Sequence, residues 1–303
     1  MSGIDAPEHS VAVFAHDEAD AIAGCLAALQ AAGLGPTDPI FVLINGTTDA
    51  TPDIVAGFAA KDPRIRPVVI ALGDKANAWS YYVHRLAPPT ARLHLFVDGD
   101  VRVSAGAVPA IEAALAGHPE ALAAATLPQG GRTAPRWAER ILRDHGMPGN
   151  FYALRGETLS RIRTLSVSMP VGLIGDDPLL RWLLLHDFTP NGPVDRSLIR
   201  PVPEAHFSYQ SIPMTGLSGL RALVARQLRY QMRDLQMNLL IRHLKVFGLG
   251  AMPRRIDSLY DAATPMLALR GQFKLRKLAF LYTYLKARGP QPRIKSGSAW
   301  YEA

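Results

Sequence analysis

Cysteine occurs once in the 303 residues. Cys25 has no intrachain disulfide partner and no second thiolate with which to hold a metal, which fits a reducing, cytosolic compartment. Met1 to Glu8 offers neither a basic segment nor a long apolar one, so no secretory leader is legible. No apolar run reaches the roughly 20 residues that a spanning helix needs. The two longest, Leu179 to Leu185 and Leu239 to Met252, are interrupted by Arg181 and by Arg242, His243 and Lys245. A glycine-rich phosphate loop is missing too. Neither G-x-G-x-x-G nor G-x-x-x-x-G-K-[ST] follows the first apolar run, which disfavours dinucleotide enzymes and nucleotide triphosphatases.

Apolar residues make up 48% of the chain, enough for a sizeable core, and disorder is excluded. The net charge of +7 is unevenly placed: residues 220–303 hold 16 Lys/Arg and 4 acids, residues 1–219 hold 17 and 22. The basic end interleaves cations with Leu, Phe and Tyr, most densely from Phe273 to Tyr282. Such a pattern suits either an anionic membrane surface or lipid-linked acceptor, or a helical cap with its lysines in water. No zinc, RRM or helix-turn-helix signature accompanies it, so no nucleic-acid partner is expected. The expected location is the cytoplasm, at or away from the inner face of the membrane.

Short apolar runs at 11–15, 40–44, 67–72 and 93–97 read as buried strands, and helical patterns at 19–32, 51–60, 77–86 and 107–116 alternate with them. The expected class is α/β with a mostly parallel sheet. Residues 128–135 read as a loop, 151–154 as a strand, 158–163 and 179–186 as helices, and the proline-punctuated stretch 188–213 as extended or irregular. From Leu217 to Leu239 apolar residues step by three or four, flanked by arginines, which predicts one long helix. The expected division is a catalytic unit over 1–215 and a basic helical region over 216–303.

In open α/β sheets ligands bind beyond the carboxyl ends of the strands. Those ends read His16-Asp17-Glu18, Asn45-Gly46-Thr47-Thr48-Asp49, Gly73-Asp74-Lys75-Ala76-Asn77 and Asp98-Gly99-Asp100. Several carboxylates with one lysine suit a divalent cation held between protein oxygens and a substrate's phosphates. Strand alternation would send Asp98 and Asp100 the same way, and Gly99 would let a phosphate approach; a solvated turn is the bland alternative. Lys75 would contact a phosphate or pair with a nearby carboxylate. Asn77, like Asp49, would serve a ligand or cap the helix that follows.

Taken in order, these segments resemble the family 2 glycosyltransferases of the GT-A, nucleotide-diphospho-sugar fold over roughly residues 9–230. Asp17-Glu18 resembles their N-E turn, Asn45-Gly46-Thr47-Thr48-Asp49-Ala50-Thr51 their D-N-G-S-T-D-G-T segment, Lys75-Ala76-Asn77-Ala78 their K-A-N-A box, and Asp98-Gly99-Asp100 their D-x-D. Gly175-Asp176-Asp177 with Leu179, Leu180 and Arg181 is similar to E-D-x-x-L-x-x-R-L, and Arg226-Gln227-Leu228-Arg229-Tyr230 to Q-x-x-R-W. Two boxes depart. The first acid of the D-N-G-S box falls on Ile44, and the last box has Arg226 for Gln and Tyr230 for Trp, which looks like a non-processive relative.

The resemblance implies an inverting, hexosyltransferase-like enzyme that uses Mn²⁺ or Mg²⁺ to move a sugar from a nucleotide-diphosphate donor, in the first instance a UDP-sugar, to an acceptor hydroxyl. Asp98, Asp100 and His206 would hold the metal, with a hydrogen-bonded loop histidine as the alternative for His206. Asp177 would take the acceptor proton. Asp17, Glu18, Asn45, Asp49, Lys75, Asn77, Gly99 and Asp176 would line the nucleotide-sugar site, and Arg226 and Arg229 would reach the diphosphate or else form a solvated helix face. A nucleotidyltransferase and a degenerate, membrane-associated scaffold are the competing readings.

Overall fold

The computed structural model describes residues 6–130, 133–209 and 216–260, with side chains from 226 onward in the last segment. The tail segment Phe273 to Tyr282 lies outside the described residues. The order of elements is β1 (His9–Ala15), α1 (Ile22–Gln30), β2 (Ile40–Asn45), α2 (Thr51–Ala59), β3 (Ile65–Ile70), α3 (Lys75–Tyr81), β4 (Leu93–Asp98), β5 (Val101–Val103), α4 (Ala107–Ala116), β6 (Ala123–Pro128), α5 (Ala134–Asp144), β7 (Phe151–Arg155), α6 (Gly156–Thr164), α7 (Asp176–Leu185), β8 (Ile199–Tyr209) and α8 (Gly216–Phe247).

One eight-stranded sheet runs β3-β2-β1-β4-β7-β6-β8-β5. Its first half is parallel, as the alternation of strand and helix predicts. The second half is mixed, because β7 runs antiparallel to both β4 and β6. Alternation along β1 divides the core: Val11, Val13 and Ala15 pack with α1, α2 and α4 on one face, while Ala12 and Phe14 pack with α3, α7 and α8 on the other. The long helix expected from Leu217 is α8, and its Met232, Leu240 and Leu244 are buried in that second layer. Among the described residues no helix is long and apolar enough to cross a membrane.

One expectation needs correction, and another is met in its extended alternative. Residues 128–135 are not all loop: Pro135 sits at the start of α5, where its missing N–H costs nothing. Residues 188–213 contain β8, despite Pro201 and Pro203. The short β5 pairs only with Phe207 to Tyr209, so the prolines lie where β8 has β6 alone for a neighbour, and the register shifts there between Ala125 and Leu127.

The loops after β2 and β3 touch. Gly46 has φ +57°, and a Cβ on it would lie 2.4 Å from the backbone of Gly73. Gly46→Ala is therefore expected to destabilise the fold by at least about 2 kcal/mol, since left-handed strain and a backbone clash coincide. A thermal melt checks this, and an unchanged melting temperature would contradict the close approach.

Candidate active site at the strand ends

β4 stops at Asp98 because Gly99 and Asp100 turn the chain toward β5. The glycine is required by its neighbours: its N–H donates to Phe14 O at 2.8 Å, and a Cβ would meet that oxygen at 3.0 Å. Gly99 is thus buried against β1, with its N–H committed there. Asp98 and Asp100 are half-buried beside it. Burial first, then the opposing pull of Lys75 and the push of Asp176 and Asp100, leave the Asp98 carboxyl raised to about 6. Burial also raises Asp100.

Lys75 opens α3, which Asp74 caps by accepting the Asn77 N–H at 2.8 Å. The cap is therefore Asp74 and not Asn77, which is buried in the helix's first turn. Lys75 Nζ reaches Asp98 Oδ1 at 2.6 Å, Asp176 Oδ2 at 3.6 Å and the Gly149 carbonyl at 3.0 Å. Burial alone would lower its pKa, but Asp176 and Asp98 outweigh it and keep the ammonium charged.

Asp176 and Asp177 form the first turn of α7, where the unpaired N–H groups and the helix dipole favour carboxylates. The preceding Gly175 has φ +102°, and any Cβ there would strike the Arg233 side chain of α8 at 2.6 Å. Asp177 packs on Gly149, where a Cβ would lie 3.0 Å from its carboxyl carbon. Burial and the neighbouring Asp176 push the Asp177 carboxyl up to about 7, against the pull of Lys75 and Arg233. Asp176 is 6% exposed, and its Oδ2 accepts no hydrogen bond. The loop that delivers the two acids is tied from both sides. Asp74 Oδ2 accepts the Gly172 N–H at 2.6 Å, while buried Gln236 accepts from Ile174 N at 2.7 Å and donates to Gly172 O at 3.0 Å.

From β1, Glu18 joins the same field: burial, then Asp100, Asp98 and Asp49, push its carboxyl up to about 7. Asp17, at φ +53°, accepts the Thr48 N–H at 2.7 Å. Asp49 accepts from Ala19 N and Thr51 N, both at 2.9 Å, so it ties β1's loop to α2 and satisfies an N–H of that helix's first turn. Asn45 is buried and commits its amide nitrogen to Ala15 O and Leu43 O at 2.9 and 3.3 Å.

Three expected residues make other contacts. His206 sits on β8 opposite Ser104, exchanging backbone contacts with it, four residues along from the level of Asp100. Arg226 and Arg229 are exposed, and Arg226 Nε donates to Tyr230 Oη at 2.9 Å. Arg233, one helical turn past Arg229, is the arginine that reaches α7. Only its step of four from Arg229 along α8 marked it in the sequence. Lys75 thus faces the carboxylates of Asp98, Asp100, Asp176 and Asp177, Arg233 faces Asp177, and Glu18 adds its charge beside Asp98 and Asp100. An excess of negative charge, with one buried oxygen unsatisfied, suits a divalent cation held by hard oxygen donors.

Comparison with known proteins places the fold and the family. No curated protein matches the sequence. Among solved structures, the mannosyltransferase PcManGT from Pyrobaculum calidifontis, in complex with GDP-Man and Mn²⁺, aligns with a TM-score of 0.58 at 18% identity, over 94% of this chain and 81% of that one. Glucosyl-3-phosphoglycerate synthase from Mycobacterium tuberculosis, with Mn²⁺, UDP-glucose and phosphoglyceric acid, aligns at 0.52 and 18% over 75% and 78%. TarS 1–349 from S. aureus, with UDP-GlcNAc, aligns at 0.51 and 13% over 91% and 89%. At these identities the likenesses establish the GT-A fold. The family model for glycosyl transferase family 2 matches residues 10–172, more than half of the chain and every strand end described above, and the protein belongs to that family.

Proposed function

We propose that the protein is an inverting, non-processive glycosyltransferase that moves a sugar from a nucleotide-diphosphate donor to an acceptor hydroxyl. The observation that carries this reading is the gathering of Asp98, Asp100, Asp176 and Asp177, from a strand end and a helix start distant in sequence, around Lys75. Asp98 and Asp100 would hold Mn²⁺ or Mg²⁺, which neutralises charge on the leaving diphosphate. Asp177 accepts the acceptor's hydroxyl proton; burial beside Asp176 gives it a basicity suited to neutral pH. Direct displacement inverts the anomeric centre, because the acceptor oxygen attacks the face opposite the departing diphosphate.

Asp176, its Oδ2 buried 3.6 Å from Lys75 Nζ, holds that ammonium beside the donor. Lys75, held by Asp98 and Asp176, supplies positive charge beside the diphosphate, and Glu18, Asp17 and Asp49 border the nucleoside side of the loops. Arg233 fixes α8 over the start of α7 and orients Asp177. Residues 1–215 form the catalytic unit. The charge of the basic region 216–303 suits a lipid-linked acceptor at an anionic membrane surface.

The donor is a UDP-sugar in the first instance. A thermal-shift panel of UDP-, GDP- and CDP-sugars, with and without Mn²⁺, tests this. One nucleotide class is expected to raise the melting temperature in the presence of Mn²⁺, because a ligand that binds only the folded state stabilises it. No stabilisation by any donor would contradict the proposal.

A further inference from the structure

His9 lies at the opposite end of β1 from the carboxylate cluster, six residues or roughly 20 Å away. Its ring is buried, and its backbone N–H and Nδ1–H donate to Asp38 at 2.9 and 2.7 Å. Asp38 is 1% exposed and also accepts the Gly35 N–H at 2.7 Å. Burial would raise the Asp38 carboxyl, but these donors hold it below the usual range. An ionised Asp38 fixes the tautomer of His9 with its hydrogen on Nδ1. Nε2 then faces Glu112 Oε1 of α4 at 3.0 Å, and ligand oxygens of Glu112 and Glu8 lie with it inside a 4.8 Å cluster.

A neutral imidazole in that tautomer would aim a lone pair at a carboxylate. A positive centre must therefore lie between Nε2 and Glu112, either a proton or a metal ion. A proton bridges only two atoms, whereas a metal ion would engage all three donors, taking Glu8 over from Arg92. Arg92, the competing cation, holds Glu8 at 3.8 Å and Glu112 at 3.5 Å with its side chain 67% exposed, a loose surface pair that swings aside at little cost.

We propose that His9 Nε2, Glu112 and Glu8 form a second metal site, for Zn²⁺, with Asp38 as the carboxylate that orients the histidine. One nitrogen and two oxygens, with solvent open at Glu8, match a four-coordinate zinc completed by water. On binding, the zinc–Nε2 bond forms and the Nε2 proton leaves to solvent. The ion would tie the start of β1 and the loop at 35–38 to α4, residues about a hundred positions apart.

Calorimetric titration of Zn²⁺ into the chain carrying Asp100→Ala, which disables the cation site of the transferase centre, tests the site. One saturable equivalent is expected, with about one proton released when buffers of different ionisation enthalpy are compared. Adding Glu112→Gln is expected to weaken binding at least ~10-fold, as loss of a supporting group at a metal site does. Glu112→Gln alone should leave sugar transfer unchanged. Because a His9 variant risks misfolding, Glu8→Gln, on an exposed side chain, serves as the second variant and should also weaken binding. Absence of saturable uptake, or uptake indifferent to both glutamate variants, would overturn the zinc site and leave His9 as a doubly protonated bridge.

Discussion

Asp177→Asn is expected to lower sugar transfer by at least ~10²-fold, the usual scale for loss of a general base, while the protein stays folded. The amide preserves the shape against Gly149 and the place at the start of α7, so packing is kept and only proton acceptance is lost. The wild-type kcat/KM should fall as pH drops through about 7, where Asp177 becomes protonated. Stability has the opposite sign. A carboxyl whose pKa rises on folding favours its protonated state in the native protein, so its contribution declines as pH climbs from about 4 to about 7. Asp177→Asn should accordingly melt no lower than wild type at pH 8. Kinetics and melts together check this, and full turnover in the variant would remove Asp177 from the mechanism.

Asp100→Ala is the second large effect, a loss of at least ~10²-fold together with loss of metal-dependent donor binding. Asp100 is the cleaner choice of the D-x-D pair. Asp98 is bound to Lys75 at 2.6 Å, and its removal would strand a partly buried ammonium and mix a stability loss into the activity loss. Asp100 is raised by burial and shares the field of Lys75, but no ion pair of the described residues depends on it. Its replacement should relieve repulsion on Glu18 and Asp98 and leave the fold intact.

The parallel half of the sheet was legible because each strand is a compact apolar run punctuated by polar residues at its carboxyl end, and every one of those ends is at the site. The mixed half was not. β6, Ala123–Pro128, is mostly alanine and carries no β-branched stretch; β5 is three residues long; β8 is broken by prolines that only its neighbours' lengths make tolerable. The site residues divide along the same line. Asp98, Asp100 and Asp177 follow recognisable elements, whereas the place of His206 depends on the register of β8 against β5, which no local pattern encodes. Arg233 was hidden for a similar reason. Its role comes from the crossing of α8 over α7, and the glycine that permits the crossing, Gly175, reads in sequence as an ordinary helix start.

Manganese binding followed by electron paramagnetic resonance, with and without nucleoside diphosphate, tests the convergence of these carboxylates most directly. One Mn²⁺ is expected to bind the wild-type chain, more tightly with nucleoside diphosphate present, and Asp100→Ala should abolish that nucleotide-enhanced binding. Equal manganese affinity in the two proteins, indifferent to nucleotide, would contradict a shared cation site at Asp98 and Asp100.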